Sequence, residues 1–303
     1  MFRSLASLPK RVLRRALNRY APAELATALK YMRASGNAAF PERNLTVTDN
    51  VPSEVTLVLS PHPDDEVIGM GGTLHMHATN GSPVTVLYLT DGAGLGTSRD
   101  ELVGRRRSEA EAVGRDCGIE QIFWTKRDTR LTNDEQTVRE MANVVANLRP
   151  SRIYLPSYFD RHYDHFSTNA ILAEALRVLG SPEIAVLGYE VWDNVPFQNY
   201  IVDISEHIEG KRRLMRYYGT PLEATDFVNL FECRGAVHYM LYVDSRLEKA
   251  PGRYAEAFCR LDAQTYLSLF DSYVKALEEH RSPMLRHLQG FRPASPAVLA
   301  GRP

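Results

Sequence analysis

The chain has 303 residues, of which 44% are hydrophobic and 24% charged, a composition ordinary for a folded globular protein. Its 36 Lys and Arg nearly cancel its 37 Asp and Glu, which argues against a protein whose main role is to coat nucleic acid. Three widely spaced cysteines form no disulfide framework, and no run of about 18 apolar residues predicts a membrane span. The start has no apolar segment of the signal-peptide kind, so we expect a cytoplasmic protein.

Residues 1–20 carry six Lys or Arg and no acidic residue, and their apolar side chains recur at helical spacing. This pattern predicts an amphipathic helix within a helical extension over residues 1–45. Its leucine face would either pack on the rest of the protein or lie on an anionic membrane surface, at the inner face of the membrane. We favour packing, because Pro9 shortens the continuous amphipathic surface.

From residue 54 onwards, predicted strands and helices alternate. The strands lie at 55–59, 84–89, 122–124 and 152–156, and the helices at 66–79, 100–117, 134–148 and 166–179. Two more strands are expected within 184–205, and further helices at 206–218 and 251–280. This alternation predicts an α/β fold with a Rossmann-like, doubly wound, mostly parallel sheet and helices on both faces. We expect that domain to span 46–265, with a C-terminal helix and irregular tail over 266–303.

The first predicted strand is followed at once by the segment SPHPDDE, residues 60–66. One histidine and three acids within five positions are unfavourable together unless a cation or a substrate compensates their charge. In a doubly wound sheet, ligands bind beyond the carboxyl ends of the strands, which is where this segment lies. His62 and Asp65 can reach one metal ion from such a turn, whereas Asp64 would point elsewhere.

A second cluster, FDRHYDH at residues 159–165, follows the fourth predicted strand and therefore lies at the same edge of the sheet. His162 and His165 can face one point from a helix-opening turn. One imidazole from this pair, with His62 and Asp65, would leave a fourth position to water, as in catalytic zinc sites. Ferrous iron tolerates the same ligands. Helix capping alone would explain the first cluster and a solvated helix start the second, but not both of them at one sheet edge.

These segments resemble the zinc-dependent N-acetylglucosaminyl deacetylases of the LmbE-like, PIG-L superfamily. The leading family motif, Pro-His-x-Asp-Asp-Glu, and the second, His-x-Asp-His, are both intact here. The resemblance covers about residues 54–260 and includes Thr90-Asp91-Gly92, Arg106-x-x-Glu109, Lys211, Arg234-Gly235 and Tyr254-Ala255-Glu256-Ala257-Phe258. Two positions depart from the pattern: Gly219-Thr220 replaces a Ser-Gln pair, and Asp160 stands where some relatives have an aromatic residue.

The resemblance implies one Zn²⁺ per chain, held by His62, Asp65 and His165. It also implies that Asp64 is the general base that deprotonates the attacking water. His162 would stabilise the oxyanion and help to protonate the departing amine.

A carboxylate commonly orients such a histidine, and Asp91 and Asp164 are the two candidates for His162. Arg106 and Asp91 are expected to contact the substrate. That substrate would be an N-acetylated amino sugar, free, lipid-linked or attached to a glycan. An amidase acting on a larger acyl or peptidyl amide would use the same site. A non-catalytic sugar-binding module would not need a base such as Asp64.

Overall fold

The computed structural model describes residues 45–94, 99–196, 198–243 and 253–279. The amphipathic helix predicted at residues 1–20 and the irregular tail after residue 279 lie outside these ranges. Within them, no helix combines the length and the apolar character that a membrane crossing requires. Contact with a membrane through residues 1–20 therefore stays a prediction.

The strands of the described residues form one sheet in the order β1-β7-β8-β6-β5-β2-β3-β4. Neighbouring strands are parallel, except that β8 runs antiparallel to both β6 and β7. The strands are β1 (Thr46–Thr48), β2 (Thr56–Ser60), β3 (Val84–Thr90), β4 (Glu120–Lys126), β5 (Arg152–Pro156), β6 (Ala185–Tyr189), β7 (Tyr200–Asp203) and β8 (Ala255–Asp262).

Helices cover both faces of this sheet, so the predicted doubly wound α/β fold is confirmed. They are α1 (Asp65–Thr79), α2 (Arg99–Cys117), α3 (Glu135–Leu148), α4 (Tyr163–Val178), α5 (Ile208–Tyr217), α6 (Gly219–Leu222), α7 (Phe227–His238) and α8 (Ala263–Glu279). A short 3₁₀ turn, Ser205–His207, precedes α5, and a π-helical turn, Tyr239–Val243, follows α7.

The helix predicted over residues 251–280 is wrong in its first half. Ala255–Asp262 is a strand, and the helix begins only at Ala263. Locally, the segment AEAFCRLD has the composition of a helix, because alanine, glutamate and leucine favour one. Pairing with β6 on one side and β7 on the other overrides that preference. The strand β1 and the helices α6 and α7 were not predicted.

The apolar core lies on both faces of the sheet, because successive side chains of a strand point to opposite faces. In β2, Leu57 and Leu59 pack with α3, α4 and α8, whereas Val58 packs with α1, α2, α5 and α7. Every residue of β2 is buried. This confirms the interpretation of its continuous apolar run as a strand covered on both faces.

The chain reverses its direction of travel across the sheet at β2. From β2 it moves to β3 and then β4 on one side, and it returns to place β5 on the other side of β2. The connections that follow β2 and β5 therefore leave in opposite directions and open a crevice between them. The two sequence clusters lie at this crevice, after Ser60 and after Pro156.

Candidate metal centre and active-site cavity

The turn between β2 and α1 holds Asp64 in a strained backbone conformation. Its φ of 134° and ψ of −29° lie in a region that side-chain-bearing residues rarely adopt. The N–H of Asp64 donates to Oε2 of Glu66 at 3.2 Å, and that carboxylate also accepts from the hydroxyl of Ser60 at 2.8 Å. The carbonyl of Asp64 accepts from the N–H groups of Val67 and Ile68. These bonds hold the strained turn in place.

The three predicted metal ligands meet at one point. The Nδ1 of His62 lies 3.0 Å from Oδ2 of Asp65, and the Nε2 of His165 lies 3.2 Å from the same oxygen. All three side chains are buried. Among the described residues, neither ring nitrogen of His165 has a hydrogen bond of good geometry, which is costly for a buried polar group. A cation between Nδ1 of His62, Oδ2 of Asp65 and Nε2 of His165 would satisfy the Nε2 atom.

Carboxylates also lie behind the two histidine rings. The Nε2 of His62 is 3.0 Å from Oδ2 of Asp164 and 3.3 Å from Oδ1 of Asp128. The Nδ1 of His165 is 3.1 Å from Oδ1 of Asp160. Histidines that bind a metal through one ring nitrogen usually present the other to a carboxylate or carbonyl. The donor set therefore fits zinc or ferrous iron, held through Nδ1 of His62 and Nε2 of His165.

The electrostatics of the cluster favour positive charge at the same point. Burial lowers the pKa of His62, but the charge of Asp65 and bonds to Asp128 and Asp164 outweigh it and raise that pKa well above its usual value. Burial likewise opposes protonation of His165, yet the charge of Asp65 raises its pKa to about 9. Burial alone would raise the pKa of Asp65, but the two histidines hold it well below its usual value. A metal cation would take the place of those protons.

Asp64 lies beside this cluster and is held by an arginine. Its Oδ2 accepts from the guanidinium of Arg106 at 3.1 Å, and Nε of Arg106 donates to the carbonyl of Gly92 at 3.1 Å. Burial raises the pKa of Asp64 to about 6 although Arg106 lowers it. Gly92 has a φ of 63°, and a Cβ there would lie 2.7 Å from Cδ of Pro63, so glycine is required.

His162 is the N-cap residue of α4 and lies next to the other two histidines. Its Nδ1 accepts from the N–H of Asp164 at 3.2 Å, and its ring centroid is 4.6 Å from that of His62. Ring nitrogens of His62, His162 and His165 lie within 4.8 Å of one another. Burial and the two neighbouring histidines lower the pKa of His162 to about 4, so its imidazole is neutral at pH 7.

The two carboxylates predicted to orient His162 make other contacts. The carboxylate of Asp164 faces Nε2 of His62, and the backbone N–H of Asp164 donates to Nδ1 of His162. The carboxylate of Asp91 pairs with Arg99. Asp91 does not line the cavity that the described residues form at this site, whereas Arg106 does.

A solvent-open cavity of about 430 Å³, including its mouth, leads to the cluster. His62, Asp64 and Asp65 line its floor. Trp192 and Phe227 line one wall, with their ring centroids 5.4 Å apart in an edge-to-face arrangement. Trp192 is 40% exposed. The cavity thus combines a polar, titratable floor with an aromatic wall, which is typical of a small-molecule site.

Sequence reasoning missed Asp128 and Trp192 and noted Asp160 only as a departure from the family pattern. Asp128 lies just after β4, and Trp192 comes soon after β6, so both belong to the same edge of the sheet. His62 was found because ligands bind beyond the carboxyl ends of the strands, and the same rule could have located Asp128. Asp160 carries a structural signal as well, since its Oδ2 accepts from the N–H of Trp192 at 2.8 Å and joins two of the loops.

Comparison with known proteins agrees with this geometry. The family model described as PIG-L, GlcNAc-PI de-N-acetylase, matches residues 57–176, which include both histidine clusters. The diacetylchitobiose deacetylase of Thermococcus kodakarensis is 32% identical over 180 residues, which are 53% of this chain and 67% of that protein. The chain therefore belongs to the PIG-L (LmbE-like) family.

Solved structures share the fold at lower identity. The N,N'-diacetylchitobiose deacetylase of Pyrococcus horikoshii is 23% identical with a TM-score of 0.56, over 80% of this chain and 94% of that one. The 4-carboxy-2-hydroxymuconate hydratase of Pseudomonas putida KT2440 is 20% identical with a TM-score of 0.58, over 68% and 95%. Because deacetylases and a hydratase share this fold, the reaction must be argued from the site.

Proposed function

We propose that this chain is a zinc-dependent deacetylase that removes the acetyl group from an N-acetylated amino sugar. The observation that carries the proposal is the meeting of His62 Nδ1 and His165 Nε2 on one oxygen of Asp65, with Asp64 beside it on the cavity floor. The family description and the Thermococcus relative support the reaction, since they are named as deacetylases of GlcNAc-PI and of diacetylchitobiose.

In this proposal His62, Asp65 and His165 hold the ion, and His162 does not. His62 and His165 each have a carboxylate beside the ring nitrogen that does not face the ion, as metal-binding histidines usually do. The Nδ1 of His162 instead accepts a backbone N–H, and its ring lines the open cavity. The bound ion would polarise the acetamide carbonyl and lower the pKa of water.

The remaining steps belong to Asp64 and His162. Asp64 is adjacent in sequence to a ligand but binds Arg106, and its raised pKa suits a base that works near neutral pH. The proton of the attacking water goes to Asp64 as the new C–O bond forms. When the C–N bond breaks, the proton held by Asp64 passes to the amine nitrogen, and acetate and the free amino sugar leave. The neutral imidazole of His162 donates to the oxyanion in this proposal and relays that proton.

A substrate panel tests the reaction. Purified protein would be incubated with N-acetylglucosamine, N,N'-diacetylchitobiose and a glucosamine carrying a longer N-acyl chain, and the free amine measured. We expect release from the acetylated sugars, its loss with a chelator and its return with added Zn²⁺. Release that survives the chelator would overturn the metal requirement. Release from the longer acyl substrate alone would overturn the acetyl specificity and favour the amidase, and release from none of the sugars would contradict the activity.

The ligand set has its own test. Elemental analysis would compare purified wild type with His165→Ala and His162→Ala. We expect His165→Ala to lose the metal and His162→Ala to keep it while kcat falls, because His162 acts in the transition state. Full metal content in His165→Ala would overturn the assignment.

A further inference from the structure

A second buried charged pair lies against the middle of α1, apart from the histidine cluster. The Nζ of Lys211, on α5, is 2.6 Å from Oε1 of Glu256, on β8. The two side chains are only 3% and 5% exposed. Burying two charges costs desolvation free energy, and apolar residues of similar size often stabilise a core equally well. Core stability alone therefore does not explain why this pair is charged.

The pair lies where α1 is broken. Met70 has a φ of −144° and a ψ of 24°, which are not helical values. In an uninterrupted helix the N–H of Gly72 would donate to the carbonyl of Ile68. Here that carbonyl accepts from Nζ of Lys211 at 2.9 Å, and the N–H of Gly72 donates to Oε1 of Glu256 at 3.0 Å.

Glu256 also accepts, through Oε2, from the N–H of Thr73 at 2.8 Å. Its carboxylate thus acts as a cap at the N-terminus of the second helical piece of α1, where negative charge is favourable. Lys211 supplies the matching donor at the end of the first piece. Apolar replacements could fill the space but could not bond these three backbone groups.

We propose that Lys211 and Glu256 are positioning residues, which stabilise the break in α1 and thereby direct its first turn into the active-site cavity. That turn carries Asp64 at its start and Asp65 as its first residue. Ile68, whose carbonyl Lys211 binds, lines both the active-site cavity and a smaller cavity beside the pair. The expected fall in zinc affinity rests on the proposed function. The expectation that Lys211 and Glu256 stabilise the break in α1 does not.

The packing around the break agrees with this role. A Cβ on Gly71 would lie 3.0 Å from Cγ of Lys211, and one on Gly72 would lie 2.6 Å from Cδ1 of Ile204. The broken part of α1 therefore sits directly against the stem of Lys211. A side chain at Gly71 would press on Lys211, which bonds the freed carbonyl of Ile68, whereas one at Gly72 would press on Ile204.

The discriminating variant is the double substitution Lys211→Met with Glu256→Leu, which removes both charges and keeps the volume. Zn²⁺ affinity would be measured by competition with a chromophoric chelator, and amide hydrogen exchange of residues 65–79 by mass spectrometry. We expect a folded protein in which the amides of Gly72 and Thr73 exchange faster and Zn²⁺ affinity falls on the order of 10-fold. The matched control is Arg213→Ala, which breaks an exposed pair between α5 and Asp116 and should change neither measurement.

A folded double variant with wild-type amide exchange and wild-type zinc affinity would overturn the proposal. If that variant does not fold, Glu256→Gln, which keeps the side-chain shape and one acceptor oxygen, is measured in the same way and judged by the same two outcomes. A wild-type protein that binds no zinc would contradict the proposed function instead, and amide exchange would then decide the positioning role alone.

Discussion

The parallel half of the sheet (β5, β2, β3 and β4) and its mixed half (β1, β7, β8 and β6) contribute to the site in different ways. In the parallel half, β2, β4 and β5 all end at one edge, and the turns and helix starts that follow them supply the three proposed ligands together with Asp64 and Asp128. In the mixed half, β8 runs antiparallel to β6 and β7, so its carboxyl end lies at the opposite edge of the sheet from theirs. That half contributes a wall, Trp192, and a side chain projecting from a strand face, Glu256. Parallel strands thus supply the reacting groups, and the antiparallel strand supplies support.

The largest effect is expected in the parallel half, at the base. Asp64→Asn keeps the shape and one acceptor oxygen but cannot accept a proton, so kcat should fall about 10²-fold or more. Because Asp64 is not a proposed ligand, metal content should match that of the wild type. Steady-state kinetics and elemental analysis on one preparation check both. Loss of metal in proportion to activity would show that Asp64 is a ligand.

A smaller effect is expected where the two halves meet. Asp160→Ala removes the carboxylate behind His165 and the acceptor for the N–H of Trp192. Zn²⁺ affinity should fall roughly 10- to 100-fold, because the ring of His165 loses its orienting partner. Competition with a chelating dye measures it. The control is Asp193→Ala, which breaks an exposed pair with Arg161 and should leave zinc affinity unchanged.

The sequence predicted the parallel half far better than the mixed half, for a physical reason. In β2 and β3 a continuous apolar run is followed by a turn that carries polar side chains, so a local pattern indicates where these strands lie. Nothing local distinguishes β8 from a helix, because its conformation depends on pairing with β6 and β7. For the same reason Lys211 and Glu256 stood out only as family positions, since their contacts with α1 are tertiary.

A stability measurement compares the same halves through two glycines. Gly72→Ala would bring a Cβ within 2.6 Å of Ile204, next to β7, so the free energy of unfolding should fall by about 1 to 3 kcal/mol. Gly104→Ala, on an exposed position of α2 with open space around it, should raise that free energy by about 0.5 to 1 kcal/mol. Urea unfolding curves would measure both changes, as shifts of the midpoint at an unchanged dependence of the unfolding free energy on urea concentration. Equal shifts of the two variants would contradict the close approach at Gly72.

The smallest effect is expected at the aromatic wall. Trp192→Ala removes apolar surface from the cavity without touching the proposed ligands, so KM should rise by a factor of about 2 to 10 with kcat little changed. Initial rates over a range of amino-sugar concentrations would separate the two constants. Val237→Ala, on an exposed residue that does not line this cavity, is the control. A fall in kcat with constant KM would assign Trp192 to the chemical step instead.

The insertion of β8 between β6 and β7 also sets the order in which a newly made chain can mature. The ribosome adds the last proposed ligand, His165, about 90 residues before it adds Glu256. At 5 to 20 residues per second, that interval lasts roughly 5 to 20 s. Late in this interval the chain already contains all three proposed ligands, Lys211, β6 and β7, but not yet Glu256, which pairs with Lys211 from the strand between β6 and β7. Vectorial synthesis therefore delivers the three proposed ligands before β8, the strand whose Glu256 bonds the broken part of α1.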